Sequence, residues 1–114
     1  MSTLRQTLPA AQALQLHDLI NPTEQGIASR VLARSGGGNL TLFAFDSGQG
    51  LSEHTSPFDA LVMVLEGTLT LTIGGVAVEA IPGSLVQMPA HVPHAVEAPQ
   101  PARMLLLMLR DGKP

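Results

Sequence analysis

Wherever the pattern of apolar and polar positions in this chain can be read, its period is two rather than 3.6. Gly26 to Arg34 sets Ile27, Ser29, Val31 and Ala33 against Ala28, Arg30, Leu32 and Arg34, which predicts a strand with two charges on one face. In Asn39 to Phe45, Leu40, Leu42 and Ala44 fall on one side, with Thr41, Phe43 and Phe45 on the other. Leu69, Leu71 and Ile73 then alternate with Thr68, Thr70 and Thr72, and Gly74-Gly75 follows where a two-residue hairpin turn needs positive φ. Val76 to Ile81, Ser84 to Met88, Val92 to Ala98 and Arg103 to Leu109 continue the series, each bounded by proline or glycine. About eight short, evenly spaced strands with little or no helix signal predict an all-β sandwich or closed barrel.

Two stretches depart from this pattern. Residues 1 to 25 form an N-terminal arm with mixed signals, in which 12 to 20 is expected to be a short extended or single-turn segment before the turn at Asn21-Pro22-Thr23-Glu24. His17 lies within it and is expected to be a surface or inter-chain packing residue. Ser35 to Gly38 is glycine-rich, but a phosphate cradle needs a helix N-terminus to follow and here a strand follows, so a hairpin loop is expected.

At 114 residues the chain fits a single domain, large enough to bury its own core. Charged residues are only 13% of it, about half the usual share, and 45% are apolar. The last strand, Met104 to Leu109, is apolar on both faces. A barrel interior takes one face, so the other calls for a cover, expected to be a second subunit in a homodimer. Phe43 and Phe45 are assigned to core or interface. A nucleic-acid partner is excluded: six basic residues stand against nine acidic ones without a basic cluster, and there is no Trp or Tyr to stack on bases. With no cysteine there is no disulfide, thiolate site or cysteine nucleophile. No apolar run approaches the roughly 20 residues of a membrane span. No signal-peptide apolar core precedes Ala11-Gln-Ala13, and a cytoplasmic protein without a membrane partner is expected.

The candidate chemistry lies in two stretches that flank the central hairpin, GQGLSEHTSPFDALVMVLEG from Gly48 to Gly67 and GSLVQMPAHVPH from Gly83 to His94. Their spacing resembles the two motifs of the cupins, small jelly-roll β-barrels. Gly48, His54 and Gly67 match the first motif, while Ser56 stands in the slot of its second histidine and Ala60 in that of its carboxylate or amide. Gly83, Pro89 and His94 match the second, with His91 in a glycine slot and Ala98 in an asparagine slot. The resemblance spans roughly residues 36 to 109, the cupin core of the single domain 1 to 114. It implies a jelly-roll barrel in which His54 and Ser56 share an inward strand face and His94 arrives from a neighbouring strand.

By the same resemblance, His54 and His94 are the candidate ligands of a divalent transition metal such as zinc, nickel, iron or manganese, held more weakly than in a complete site because Ser56 and Ala60 supply no ligand. The ligand-binding set is His54, Ser56, Gln87 and His94. Gln87 joins it if it projects inward with Leu85, an outward orientation being equally open. His91 is expected to serve its turn, since histidine tolerates positive φ better than most residues. Glu53, Asp59 and Glu66 are expected on the opposite strand face or in turns. No catalytic triad or carboxylate pair can be defended. Three readings follow: a small-ligand-binding cupin; a metal-dependent cupin enzyme of oxygenase, isomerase or decarboxylase type; and a barrel that serves only as an assembly unit.

Overall fold

The computed structural model describes the backbone of residues 5 and 6 and the whole of residues 8 to 110. Ten strands and one short 3-10 turn occur in the order β1 (Arg5–Gln6), the turn Leu16–Leu19, β2 (Ile27–Ser35), β3 (Gly38–Phe45), β4 (Gln49–His54), β5 (Asp59–Glu66), β6 (Leu69–Ile73), β7 (Val76–Ala80), β8 (Leu85–Met88), β9 (His94–Ala98) and β10 (Ala102–Leu109). All pairings are antiparallel. A six-stranded sheet in the order β1-β2-β3-β10-β5-β8 packs against a four-stranded sheet in the order β4-β9-β6-β7. The all-β jelly-roll expectation is borne out, and the single-turn segment falls within 12 to 20.

The alternation read from the sequence decides which residues become core. Phe45, Val62, Val64 and Met104 from the larger sheet meet Leu69, Leu71 and Val96 from the smaller one, all essentially inaccessible to water. Phe43 and Phe45 stack at 6.0 Å between centroids, with Phe43 half-buried against that core. At about 25 cal/mol per Å² of apolar surface removed from water, this interlayer packing supplies the main term that holds the sheets together. The hairpin at Gly74-Gly75 has φ of 58° and 82°, the positive values its two-residue turn requires. The regular alternation read over Gly26 to Arg34 is broken by a register shift between Val31 and Ala33, where β2 carries an extra residue.

The outer face of the larger sheet is partly covered by the chain's own N-terminal arm. Arg30 donates to the Leu19 carbonyl at 3.2 Å, and the Arg103 guanidinium donates twice to the Ile20 carbonyl at 3.3 Å. Arg103 also pairs with Glu66, whose other oxygen accepts from His17 Nδ1 at 2.5 Å. Farther along the arm, the Gln25 amide donates to Asp46 at 2.6 Å. Leu42 and Ala44 lie between these anchors and are fully buried although they point away from the barrel core. His17 is thus tied to an acidic partner within its own chain.

Candidate functional site

His54 closes β4 and His94 opens β9, and the two residues are cross-strand partners. Their alignment depends on a defect in the ladder. Leu51 pairs with Val96, and in a regular antiparallel pair Glu53 would then lie opposite His94, with His54 turned to the other face. The register shifts by one residue between Leu51 and His54, so that His54 takes the position across from His94 while Glu53 remains exposed. Gly50 permits the close approach that precedes this bulge: a Cβ there would lie 2.2 Å from the Val96 carbonyl oxygen. On its other side His94 pairs with Ile73 of β6. His94 is only 5% accessible, the one buried polar or charged residue among those described, whereas His54 is exposed.

The rings meet edge to face, with centroids 4.4 Å apart and Nε2 atoms separated by 3.1 Å. Each Nδ1 in turn faces a carbonyl oxygen two residues back in its own chain, Ser52 for His54 at 2.8 Å and Val92 for His94 at 3.1 Å. A carbonyl oxygen only accepts, so each Nδ1 must carry a proton to make its contact. Two neutral imidazoles have one N–H apiece, and both are then used. That leaves two lone pairs facing each other at Nε2. Three contacts require three positive hydrogens or their equivalent, and the neutral pair supplies two. With both Nδ1 atoms as donors, the two Nε2 atoms would face each other through lone pairs, a contact that a cation held by both rings would relieve. Oriented by their carbonyl partners, both Nε2 atoms point at the same spot, as ligands held by their other nitrogen do.

The loops flanking the histidines are tied together. Ser56 lies beyond the end of β4 rather than on its inward face; its hydroxyl accepts from the Phe58 amide at 3.2 Å and its carbonyl from the His91 amide at 2.8 Å. Asp59 Oδ1 accepts from the Ala90 amide at 2.8 Å. The segment after His54 is thereby fastened to the turn that precedes His94. His91 has φ of 66°, the positive value expected of its slot. Gln87 takes the outward of its two open orientations, because Val86 and Met88 turn toward the core and Leu85 and Gln87 away from it. Val62, Val64 and Val96 are packed into the core. The structure therefore brings His54 and His94 together, uses Ser56 to shape the adjoining loop, and sets Gln87 apart. No group of three or more His, Cys, Asp or Glu side chains suited to a metal occurs among the described residues.

The Cupin domain profile matches residues 41–109, which span both sheets and both histidines. The chain belongs to the cupin family. A conserved protein of unknown function from Streptococcus pyogenes is 30% identical, with a TM-score of 0.89 over 99% of this chain and 98% of that one. A cupin superfamily protein from Desulfitobacterium hafniense is 31% identical, with a TM-score of 0.85 over 91% and 95% of the two chains. Salicylate 1,2-dioxygenase from Pseudoaminobacter salicylatoxidans is 13% identical, with a TM-score of 0.69 over 73% of this cupin and 26% of that chain, a likeness of fold alone. No curated protein sequence matches.

Proposed function

We propose that this cupin binds a small molecule at the His54–His94 pair, and that these two histidines would hold a divalent transition metal there. The observation that carries the reading is the proton count: two imidazoles, each with Nδ1 committed to a backbone carbonyl, aim lone pairs at one another across 3.1 Å. A cation there satisfies both. The residues fit such an ion as two ligands, leaving its other positions to water or to oxygen atoms of the bound molecule. Held by His54 and His94, such an ion would supply Lewis-acid chemistry toward a carboxylate or carbonyl oxygen of the bound molecule. The protein's own part is to hold His94 rigidly in the core, to offer His54 from the solvent side, and to fix both rings through the Ser52 and Val92 carbonyls. That division suits a carrier or sensor, which must admit and release its ligand from one side. An enzymatic reading is the second choice, and it would need the small molecule, entering at exposed His54, to complete the ligand set.

The test is elemental analysis of tag-free protein after dialysis against zinc, nickel, iron(II) or manganese, with His54→Ala and His94→Ala in parallel. The wild type is expected to retain one of these metals at up to one ion per chain, and both variants to lose it. A His54→Ala protein with full metal content would overturn the ligand assignment.

A further inference from the structure

The bulge in β2 does for Arg34 what the bulge in β4 does for His54. A strict period of two puts Arg34 on the face of Arg30, which lies opposite Leu42 and is held on the outer side by the Leu19 carbonyl. The register skips Leu32, so that Ala33 takes the outward place opposite Leu40 and Arg34 pairs with Asn39 on the inward face. The row it joins runs from Arg34 through Asn39, Met108 and Ala60 to Met88, and the last three pack into or against the core. Thr41 holds the next inward position of β3, opposite Leu106. Three hydrogen-bonding side chains, Arg34, Asn39 and Thr41, thus stand together at one corner of a face that β10, β5 and β8 build from apolar residues alone.

That corner faces His54. Short links join β3 to β4, β9 to β10, β5 to β6 and β7 to β8, so the order β4-β9-β6-β7 of the smaller sheet lies over β3-β10-β5-β8 of the larger. β4 therefore stands across from β3. The link from Phe45 to Gln49 joins these two strands at one end and leaves Asn39 and His54 together at the other. β2 lies one strand farther out with nothing of the smaller sheet over it, which is why Arg34 is exposed. At sheet and strand spacings of about 10 and 4.8 Å, the His54 and Arg34 backbones stand roughly 11 Å apart, room for both side chains with a small molecule between their tips. Building on a small molecule at the His54–His94 pair, we propose that Arg34, with Asn39 and Thr41, binds its carboxylate, so that the ligand is a small organic acid.

Availability favours Arg34 for this role. Of the four arginines whose side chains are described, Arg30 donates to the Leu19 carbonyl, Arg103 pairs with Glu66, and Arg110 lies 5.3 Å from the centre of the Phe58 ring. The side chains of Arg34, Asn39 and Thr41 have no hydrogen bond, ion pair or ring contact among the described residues. Asp59, the acidic residue that opens β5, shares the outer side with Leu109 and is engaged by the Ala90 amide, so it does not neutralise the corner. A guanidinium presents paired N–H donors that match the two oxygens of a carboxylate, and such charge-assisted bonds are the strong ones. The Asn39 amide and the Thr41 hydroxyl can each donate to an oxygen of the same acid. A phosphate is served best by the backbone amides of a helix N-terminus, whereas the loop after Arg34 leads into a strand. A cationic ligand would be repelled.

Calorimetric titration of the full-length protein, as isolated and again after metal removal with EDTA, tests the proposal with malonate, succinate, malate and benzoate. At least one of these acids is expected to bind the wild type in one of the two forms. Its Kd is expected to rise about tenfold or more in Arg34→Gln and less in Arg34→Lys. Arg34 is exposed, so Arg34→Gln is expected to keep the wild-type melting and circular dichroism. Arg30→Gln removes the same charge from the outer face and is expected to keep the affinity. Binding of none of the four acids overturns the proposal, as does an Arg34→Gln protein with unchanged affinity. Inorganic phosphate, succinamide or putrescine bound as tightly as the best acid also overturns it. Metal content is expected to be equal in Arg34→Gln and the wild type. A protein that keeps its metal at the histidines but shows no Arg34-dependent acid binding thus loses this proposal alone, and one that binds the acid through Arg34 but holds no metal loses only the metal reading.

Discussion

His54 and His94 differ in what surrounds them, and replacing either shows whether the pair serves a ligand or the fold. His94 is enclosed beside Ile73 and Val96, where a leucine of similar volume finds apolar neighbours; His54 stands mostly in solvent, where a leucine gains and loses little. In metal-free protein a lone-pair contact between the two Nε2 atoms weighs on buried His94, where an unsatisfied polar group costs about 1–3 kcal/mol, and little on exposed His54. His54→Leu and His94→Leu are therefore expected to melt at or above the wild-type midpoint while losing metal or ligand binding. A clear fall in midpoint for both, measured by calorimetry without metal, would make the pair a structural hydrogen-bonded unit instead. At this scale the sequence was partly legible. The motif spacing around His54 and His94 marks them as a pair. Period-two spacing puts Ser56 on the inward face only if β4 runs regularly past His54, whereas the strand stops there and the Ser56 hydroxyl turns to the Phe58 amide. Gln87 could not be oriented because a four-residue strand with Leu, Val, Gln and Met in succession has no polar parity to read.

The element that makes the site is the bulge in β4, and nothing in the local pattern of Leu51-Ser-Glu-His54 announces it. A strict period of two puts Leu51 and His54 on opposite faces, yet the extra residue before His54 turns it to the side that faces its partner. The departure from regular pairing is thus functional in its consequence, which is where simple alternation is expected to fail. Gly50 holds β4 close to β9 just before the bulge. Gly50→Ala forces a Cβ against the Val96 carbonyl oxygen, a backbone atom that cannot move alone. The expected cost is about 1–3 kcal/mol, typical of overpacking at a close contact, together with weaker metal binding as β4 shifts from β9. Gly48→Ala is the comparison: its φ of 81° makes alanine strained, but a Cβ there meets nothing within 4 Å. Left-handed strain alone costs roughly 1–2 kcal/mol, so Gly48→Ala should lower stability while leaving metal affinity unchanged. Equal loss of affinity in the two variants, read by calorimetric titration, would show that the β4–β9 approach at Gly50 does not position His54.

For the molecule as a whole, the arm replaces part of the cover that the apolar outer face demands, a role its mixed sequence signal did not disclose. It is fastened by two carboxylates. Burial raises the pKa of Glu66, but the hydrogen bonds and charges of His17 and Arg103 together outweigh it, and the carboxyl titrates below its ordinary value of 4.5. The backbone amides of Gln25 and Ser47 hold Asp46 below 3.8 in the same way. A carboxyl whose folded pKa is depressed stabilises the fold above its unfolded pKa, and this stabilisation is lost as pH falls through the folded value. The arm should therefore loosen on acidification below about pH 4.5 and stay latched above it, where both groups are ionised in either state. Both sites are open to solvent, so the effect is modest and screened by salt. Glu66→Gln removes one of these titrations and keeps a hydrogen-bonding oxygen facing Arg103. The thermal midpoint of the wild type is expected to fall between about pH 5 and pH 3 more steeply than that of Glu66→Gln. In acid, pepsin should cut the wild type first between Leu14 and Ile20, where leucines alternate with polar residues and the Leu19 and Ile20 carbonyls are held by Arg30 and Arg103. If the two proteins lose stability with parallel slopes, Glu66 does not fasten the arm, and the burial of Leu42 and Ala44 rests on apolar packing alone.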